Sequence, residues 1–554
     1  MKLNLRGPES TWKSDYVLPK FDIAAMRAKT AENPTWLHIG AGNIFRVFVA
    51  AAHQDLLDAG LADTGIVVYE GFDEEIIPRA FKPYDNLTLG VTLHADGSVE
   101  KRVIASVADA FSCDLTQLCE IIAKPSLQMI SLTITEKGYA VNPQSICASP
   151  AVAKTTIEQL TAGLLARFEA AAPPLALVAM DNFAENGTHL KNAVLSVAQT
   201  WDVSPDFIKY AETLAFPWTM IDKITPRPSK EVAKILEADG FEDTEIIETT
   251  KHTFVAPFVN AEAAAYLVIE DDFPNGRPPL ELVEKLAGKL VGKLAGKRAG
   301  IYMTDRETVR KTDQMKVCAC LNPLHTILAV TGMLLGYPTI SACMKDENLV
   351  ALIRRAALEA MPAVEHPGII DPADFLHEVL TARFPNPFIP DTPARIACDT
   401  SQKIPIRFGV TLKKIFHARA KHDSETEGAS QDRHMSPKQE TDIELEAIPL
   451  FFALFLRYRM GIDDKGAKLN LSPDPSLPEE LNTLYGLPLG AAKKIDLRPI
   501  LSNEGLFGVN LYEVGLGEKI EKIFAEISAA PGAVNYRLKQ NIWIPLIKEK
   551  IFGP

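Results

Sequence analysis

Thr35-Trp-Leu-His-Ile-Gly-Ala-Gly-Asn-Ile-Phe-Arg46 sets the architecture of the first half of the chain. Trp36 to Ile39 have the character of a short buried strand, Gly40-Ala-Gly42 supplies a turn, and a helical pattern follows through AAHQDLLDAG to about Gly60. Gly65-Ile-Val-Val-Tyr-Glu70 is a second apolar strand that ends in an acid. Further out, Gln128-Met-Ile-Ser-Leu-Thr-Ile-Thr135 and Leu175-Ala-Leu-Val-Ala-Met180 have strand character, and Thr155 to Ala171 between them is helical. Apolar strands separated by helices predict a parallel sheet covered on both faces, a doubly wound, Rossmann-like α/β domain.

The character changes from about Glu281. KLAGKLVGKLAGKR repeats every four residues, with Lys285, Lys289, Lys293 and Lys297 in a row; its glycines weaken a helix and its lysines exclude a membrane span, so it is expected to be a solvated connector. Beyond it, Leu324 to Leu335, Leu349 to Met361 and Asp442 to Tyr458 have helical periodicity. The expected division is therefore a Rossmann-like domain over 1–290 and a mainly α-helical domain over 291–554. Residues 422–438 are polar and aperiodic, and are expected to form a mobile loop.

With 554 residues, 47% of them hydrophobic, the chain can bury more than one core. A net charge of −13 argues against wrapping nucleic acid, which requires a basic surface, while leaving room for an anionic small substrate. The sequence contains no signal-peptide-like start and no uninterrupted apolar run of about 18 residues, so the expected location is the cytoplasm and no membrane partner is expected. Seven irregularly spaced cysteines indicate neither a disulfide framework nor a zinc site; Cys318 and Cys320 are read as ordinary thiols and no metal is expected.

A glycine turn from strand to helix is where backbone N–H groups approach a pyrophosphate. The backbone around Gly40, Gly42, Asn43, Ile44, Phe45 and Arg46 is thus a candidate dinucleotide site. Position 45 is Phe, so the third glycine of GxGxxG is missing and the motif alone is weak. Glu70 adds to it as the acid expected to bind ribose hydroxyls and disfavour a 2′-phosphate, which selects NAD over NADP. It lies 30 residues from Gly40 against the usual ~20, which keeps Asp73 as a competitor.

Eight blocks in family order resemble the polyol-specific long-chain dehydrogenases: HIGAGNIFR (38–46), SLTITEKGY (131–139), DNFAENG (181–187), FPWTMIDKITP (216–226), VIEDDFPNGRP (268–278), LNPLH (321–325), RFPNPFIPDTPARIACDTSQKIP (383–405) and RYRMGIDDKG (457–466). The resemblance implies a Rossmann-like domain, a helical domain, a substrate site in the cleft between them, and metal-independent chemistry with a lysine as acid–base group. Residue by residue, it implies Lys316 as that lysine, with Lys311 a weaker substitute, and Asn322 and His325 beside it. Asn182 or Asn186 would donate a second amide to the alkoxide. Asp222, Arg395 and Lys403 would contact substrate, and Glu136 would lie near the nicotinamide and relay protons.

The chemistry is coherent. Hydride transfer from an alcohol leaves a proton, which a base titrating near neutrality removes best; burial and nearby positive charge bring a lysine down from its usual ~10.4. Amide N–H groups stabilise the alkoxide. This chain departs from the family pattern in having five residues between Lys316 and Asn322, where the pattern has four. One extra residue rotates a helix by about 100°, unless a π-type bulge absorbs it. Pro323 suits the first turn of a new helix. Lys223 stands where the family has arginine. The bland alternatives are that Asn322 is an N-cap, Lys316 a surface residue, His325 a packed core residue, Asn182 or Asn186 part of a turn, Glu136 half of a structural ion pair, and 391–407 a salt-bridged surface. The expected activity is reversible oxidation of a sugar acid, D-mannonate to D-fructuronate in type; the alternatives are a hexitol dehydrogenase, a non-catalytic NAD or sugar-acid sensor and, third, a metal-dependent alcohol dehydrogenase.

Overall fold

The computed structural model describes residues 1–5, 12–201, 203–283, 299–389, 391–427 and 444–540. The Lys/Gly connector and residues 428–438 of the polar stretch lie outside them. Two compact units result, Met1–Arg310 and Lys311–Pro554. The division falls after Arg310 instead of at 290 because the strand Ala299–Thr304 pairs in parallel with Ala265–Glu270 and so belongs to the first unit.

Five parallel strands form the centre of the first unit: β1 (Trp36–Ile39), β2 (Ile66–Glu70), β3 (Val107–Ser112), β4 (Met129–Leu132) and β5 (Ala176–Ala179). They lie side by side in the order β3-β2-β1-β4-β5. This is the doubly wound order, with the chain reversing direction across the sheet at β1. Successive residues point to opposite faces and both faces are apolar. Trp36, Ile66, Val68, Met129 and Val178 enter one core cluster, while Leu37, Ile39, Val67, Ile130 and Leu177 enter another. The Thr156–Glu169 helix covers the second face, started by a capping box between Thr155 and Glu158.

Beside a two-stranded pairing of Ile247–Glu248 with Phe254–Val255, two sheets of three and four strands were not legible in the sequence. One joins Thr219–Asp222, Ala265–Glu270 and Ala299–Thr304; the other joins Tyr16–Val17, Val99–Ile104, Thr88–Leu93 and Phe258–Glu262. The second unit is helical among its described residues, as expected. Its central helix, Ala447–Arg459, is buried along its whole length, and Asn322–Leu335 and Gly517–Ile527 pack against it. The Val410–Glu427 helix carries regular structure into the start of the stretch expected to be a loop. Arg306–Leu335 is apolar and long enough by composition to cross a membrane, but its most apolar window is 83% buried inside the protein.

Candidate active site

The glycine turn is built around two glycines with different reasons to be glycine. Gly40 has φ +104°, and a Cβ there would sit 2.3 Å from the Thr133 carbonyl oxygen, so the passage beside β4 excludes any side chain. Gly42 is unconstrained by its neighbours: a Cβ there would meet nothing within 4 Å. Gly42, Asn43 and Ile44 are half-exposed at the start of a helix, whose first N–H groups lack helical acceptors. Open space over bare backbone at a helix start fits a pyrophosphate.

The side chains that follow turn inward. Phe45 is fully buried and stacks on His38 with ring centroids 3.8 Å apart. Its bulk occupies the contact the missing glycine would have closed, and the helix opens there as a π-turn, Phe45–Val49. Burial pushes His38 down to about 3, so its ring is neutral between Ser131 and Thr133. Arg46 is 1% exposed; its Nε donates to Thr88 Oγ1 and Nη1 to the Ala256 carbonyl, so its side chain pins the four-stranded sheet and does not face a cofactor.

Glu70 braces the turn. One carboxylate oxygen accepts from Ala41 N at 2.8 Å, the other from Phe72 N and Asp73 N at 2.9 and 3.0 Å. A carboxylate has about four acceptor positions, so one remains for a ribose hydroxyl. Asp73 is 1% exposed, and it accepts from Thr249 Oγ1 and Glu75 N. Both acids have internal roles, and Glu70 is the one whose carboxylate touches the glycine turn.

At the ends of β4 and β5, Asp181 organises the neighbourhood, a role that sequence reasoning missed. It accepts from Ile134 N and Thr135 N, both at 2.9 Å, and from the Tyr139 hydroxyl at 2.6 Å. These bonds hold Thr135 at φ 65°, ψ 155°, a conformation almost reserved for glycine. Asp181 directly follows a strand-ending apolar run, the one signal that marked it. Glu136 is exposed on the turn beyond. Asn186 is fully buried with its amide engaged: Nδ2 donates to Asp181 O, Thr219 O and Thr219 Oγ1, and Oδ1 accepts from Thr219 N. It ties two strands together and has no group left for an alkoxide; Asn182, the alternative, is exposed at the surface. Asp222 ends its strand 7% exposed, and the neighbouring Lys223 donates to the Glu262 carbonyl.

In the second unit the extra residue before Asn322 is absorbed as the spacing demanded. Lys316–Cys320 is a π-turn, and Leu321 at φ −132°, ψ −64° breaks it from the helix Asn322–Leu335, which carries Pro323 in its first turn. Lys316 is 1% exposed at the start of the π-turn. The Thr411 hydroxyl donates to the Cys318 carbonyl, which the irregular turn would otherwise strand. Cys318 and Cys320 point to the Ile406 and Pro372 carbonyls, with burial pushing both thiols up to about 12. Asp313, three residues before Lys316, was not anticipated. Burial raises its carboxyl and Lys316 opposes the rise, so the two groups share a field. Leu321 occupies the N-cap position, so Asn322 is not the cap; its side-chain amide makes no hydrogen bond among the described residues and is half-exposed.

His325 lies with Nε2 3.0 Å from Asp391 Oδ2, and burial holds it below its ordinary value against the pull of that carboxylate. The Asp391 Oδ1 takes both Nε and Nη2 of Arg395, at 3.0 and 2.7 Å. Lys403 donates to the Ile396 and Cys398 carbonyls. Arg395 and Lys403, expected to contact substrate, both have partners inside the protein: Arg395, 64% exposed, is forked on Asp391, and Lys403 caps a short helix. Arg407 was overlooked. Its Nη1 donates to the Asn322 carbonyl at 3.2 Å and to Thr326 Oγ1 at 2.5 Å, and burial pushes its guanidinium down to about 10.

The sheet order and the glycine turn make the first unit a Rossmann-type domain. A family model described as the mannitol dehydrogenase Rossmann domain matches residues 34–282, and a second, the mannitol dehydrogenase C-terminal domain, matches 308–427. The chain belongs to the mannitol dehydrogenase family. It is 45% identical to the D-mannonate oxidoreductase of Thermotoga maritima, over 94% of this chain and 95% of that one. The D-mannonate oxidoreductase of Escherichia coli is 27% identical over 86% of this chain and 89% of its own length. Among solved structures, Pseudomonas fluorescens mannitol 2-dehydrogenase in a ternary complex with NAD and D-mannitol has the same fold, with TM-score 0.69 and 24% identity, covering 98% of this chain and 100% of that one.

Proposed function

We propose that this chain is a cytoplasmic, NAD-dependent, metal-independent oxidoreductase that interconverts the secondary alcohol of D-mannonate and the ketone of D-fructuronate, with Lys316 as its acid–base group. The observation that carries the substrate class is the 45% identity to a D-mannonate oxidoreductase across nearly the whole length of both chains. Support for the cofactor is the open backbone at Gly42, with Glu70 fixed beside it. Bound NAD supplies the hydride acceptor in oxidation and, reduced, the donor in reduction.

The rest is done by this chain's residues. In oxidation, the buried Lys316 amine takes the hydroxyl proton while the free Asn322 amide donates to the oxygen as charge develops on it. In reduction, the same ammonium returns the proton. His325, held neutral against Asp391, keeps an uncharged ring beside that oxygen. Replacing Lys316 with alanine should lower kcat by about 10³-fold while NADH still binds. An unchanged rate would remove the lysine from the mechanism, and a wild-type chain that binds NADH without turnover would support a sensor.

A further inference from the structure

A sugar acid's carboxylate needs a cation to read it, and Arg395 and Lys403 are each drawn to partners within the protein. Arg407 has the properties the role requires. It projects from the π-turn Pro405–Gly409 to the first turn of the helix that carries Asn322 and His325. Both its bonds use Nη1, to a neutral hydroxyl and a backbone carbonyl, and among the described residues it makes no ion pair with any carboxylate. A half-buried guanidinium without an acidic partner carries a desolvation cost that nothing nearby offsets.

The surroundings increase the imbalance. Arg395, Lys403 and Arg407 stand in a neighbourhood where Asp391 and Asp399 are the acids acting on them. Lys403 and Arg407 repel each other, and Arg407 also disfavours protonation of His325. The N-terminal end of the Asn322–Leu335 helix adds partial positive charge at the same place. One further negative group, planar and able to accept two N–H bonds, would balance this cluster.

We infer that Arg407 is the specificity-determining residue that binds the substrate's carboxylate through Nε and Nη2, with Nη1 holding it against Thr326 and the Asn322 carbonyl. This rests on the sugar-acid reading above. It also orders the substrate: the carboxylate end lies at Arg407 and the reacting carbon towards Asn322.

The test is steady-state kinetics with D-fructuronate and NADH on the wild-type chain and on Arg407→Met and Arg407→Lys, with NADH affinity measured on all three to establish that each is folded. The KM for fructuronate should rise about a hundredfold in Arg407→Met, with kcat changed far less, and Arg407→Lys should recover about a tenth of the loss. A drop in kcat at unchanged KM would make Arg407 a support for Asn322 and overturn the inference, as would unchanged kinetics. Absence of turnover by the wild-type chain on any uronate would instead overturn the sugar-acid reading and this inference with it.

Discussion

Gly40 and Gly42 stand two residues apart, yet the fold needs only the first. The Thr133 carbonyl excludes a side chain at Gly40, and its φ of +104° is strained for any L-residue. Gly40→Ala should therefore cost about 2–4 kcal/mol of stability, readable as a lowered denaturation midpoint. Gly42→Ala should stay within about 0.5 kcal/mol of wild type and yet weaken NADH at least tenfold, because the added methyl enters space that only a ligand fills. Equal NADH affinity in that variant would contradict the placement of the pyrophosphate. Sequence reasoning identified this turn but not what its side chains do. Arg46 and Asn186 sit inside matching motifs, and their roles as internal ties depend on Thr88, Ala256 and Thr219, partners far away in the chain.

At the scale of elements, local patterns predicted what local forces determine. Four of the five strands of the central sheet fall within a residue or so of the apolar runs, apart from the 128–135 run, which ends as strand at Leu132; Val107–Ser112 was not among those runs. Chain passing from β4 into the Asp181-bound turn accounts for that shortening. The π-turn at Lys316 was legible from one extra residue, since a helix forced to keep both ends in phase has few ways to hold it. It follows that deleting Val317 should regularise the helix and keep kcat within about tenfold, whereas inserting one alanine after Val317 should abolish activity by rotating Lys316 about 100°. Loss of activity in the deletion would mean that the π-turn itself, beyond phase, positions the lysine. The two minor sheets were hidden because their strands are short and their partners distant; Phe258–Glu262 pairs with Thr88–Leu93.

For the whole molecule, composition and motif order marked a two-part α/β and helical chain, and the sheet order bears out the Rossmann part. The charge balance around Arg407 lay beyond sequence reasoning, because it depends on which acids are already paired. The proposed chemistry is sugar-acid oxidoreduction with NAD and no metal. The direct measurement follows NADH absorbance with purified protein offered D-fructuronate, tagaturonate and fructose, each with and without a chelator. Rapid oxidation of NADH is expected with fructuronate, little with fructose, and rates unaffected by the chelator. Turnover of fructose with none of either uronate, or activity abolished by the chelator, would contradict it.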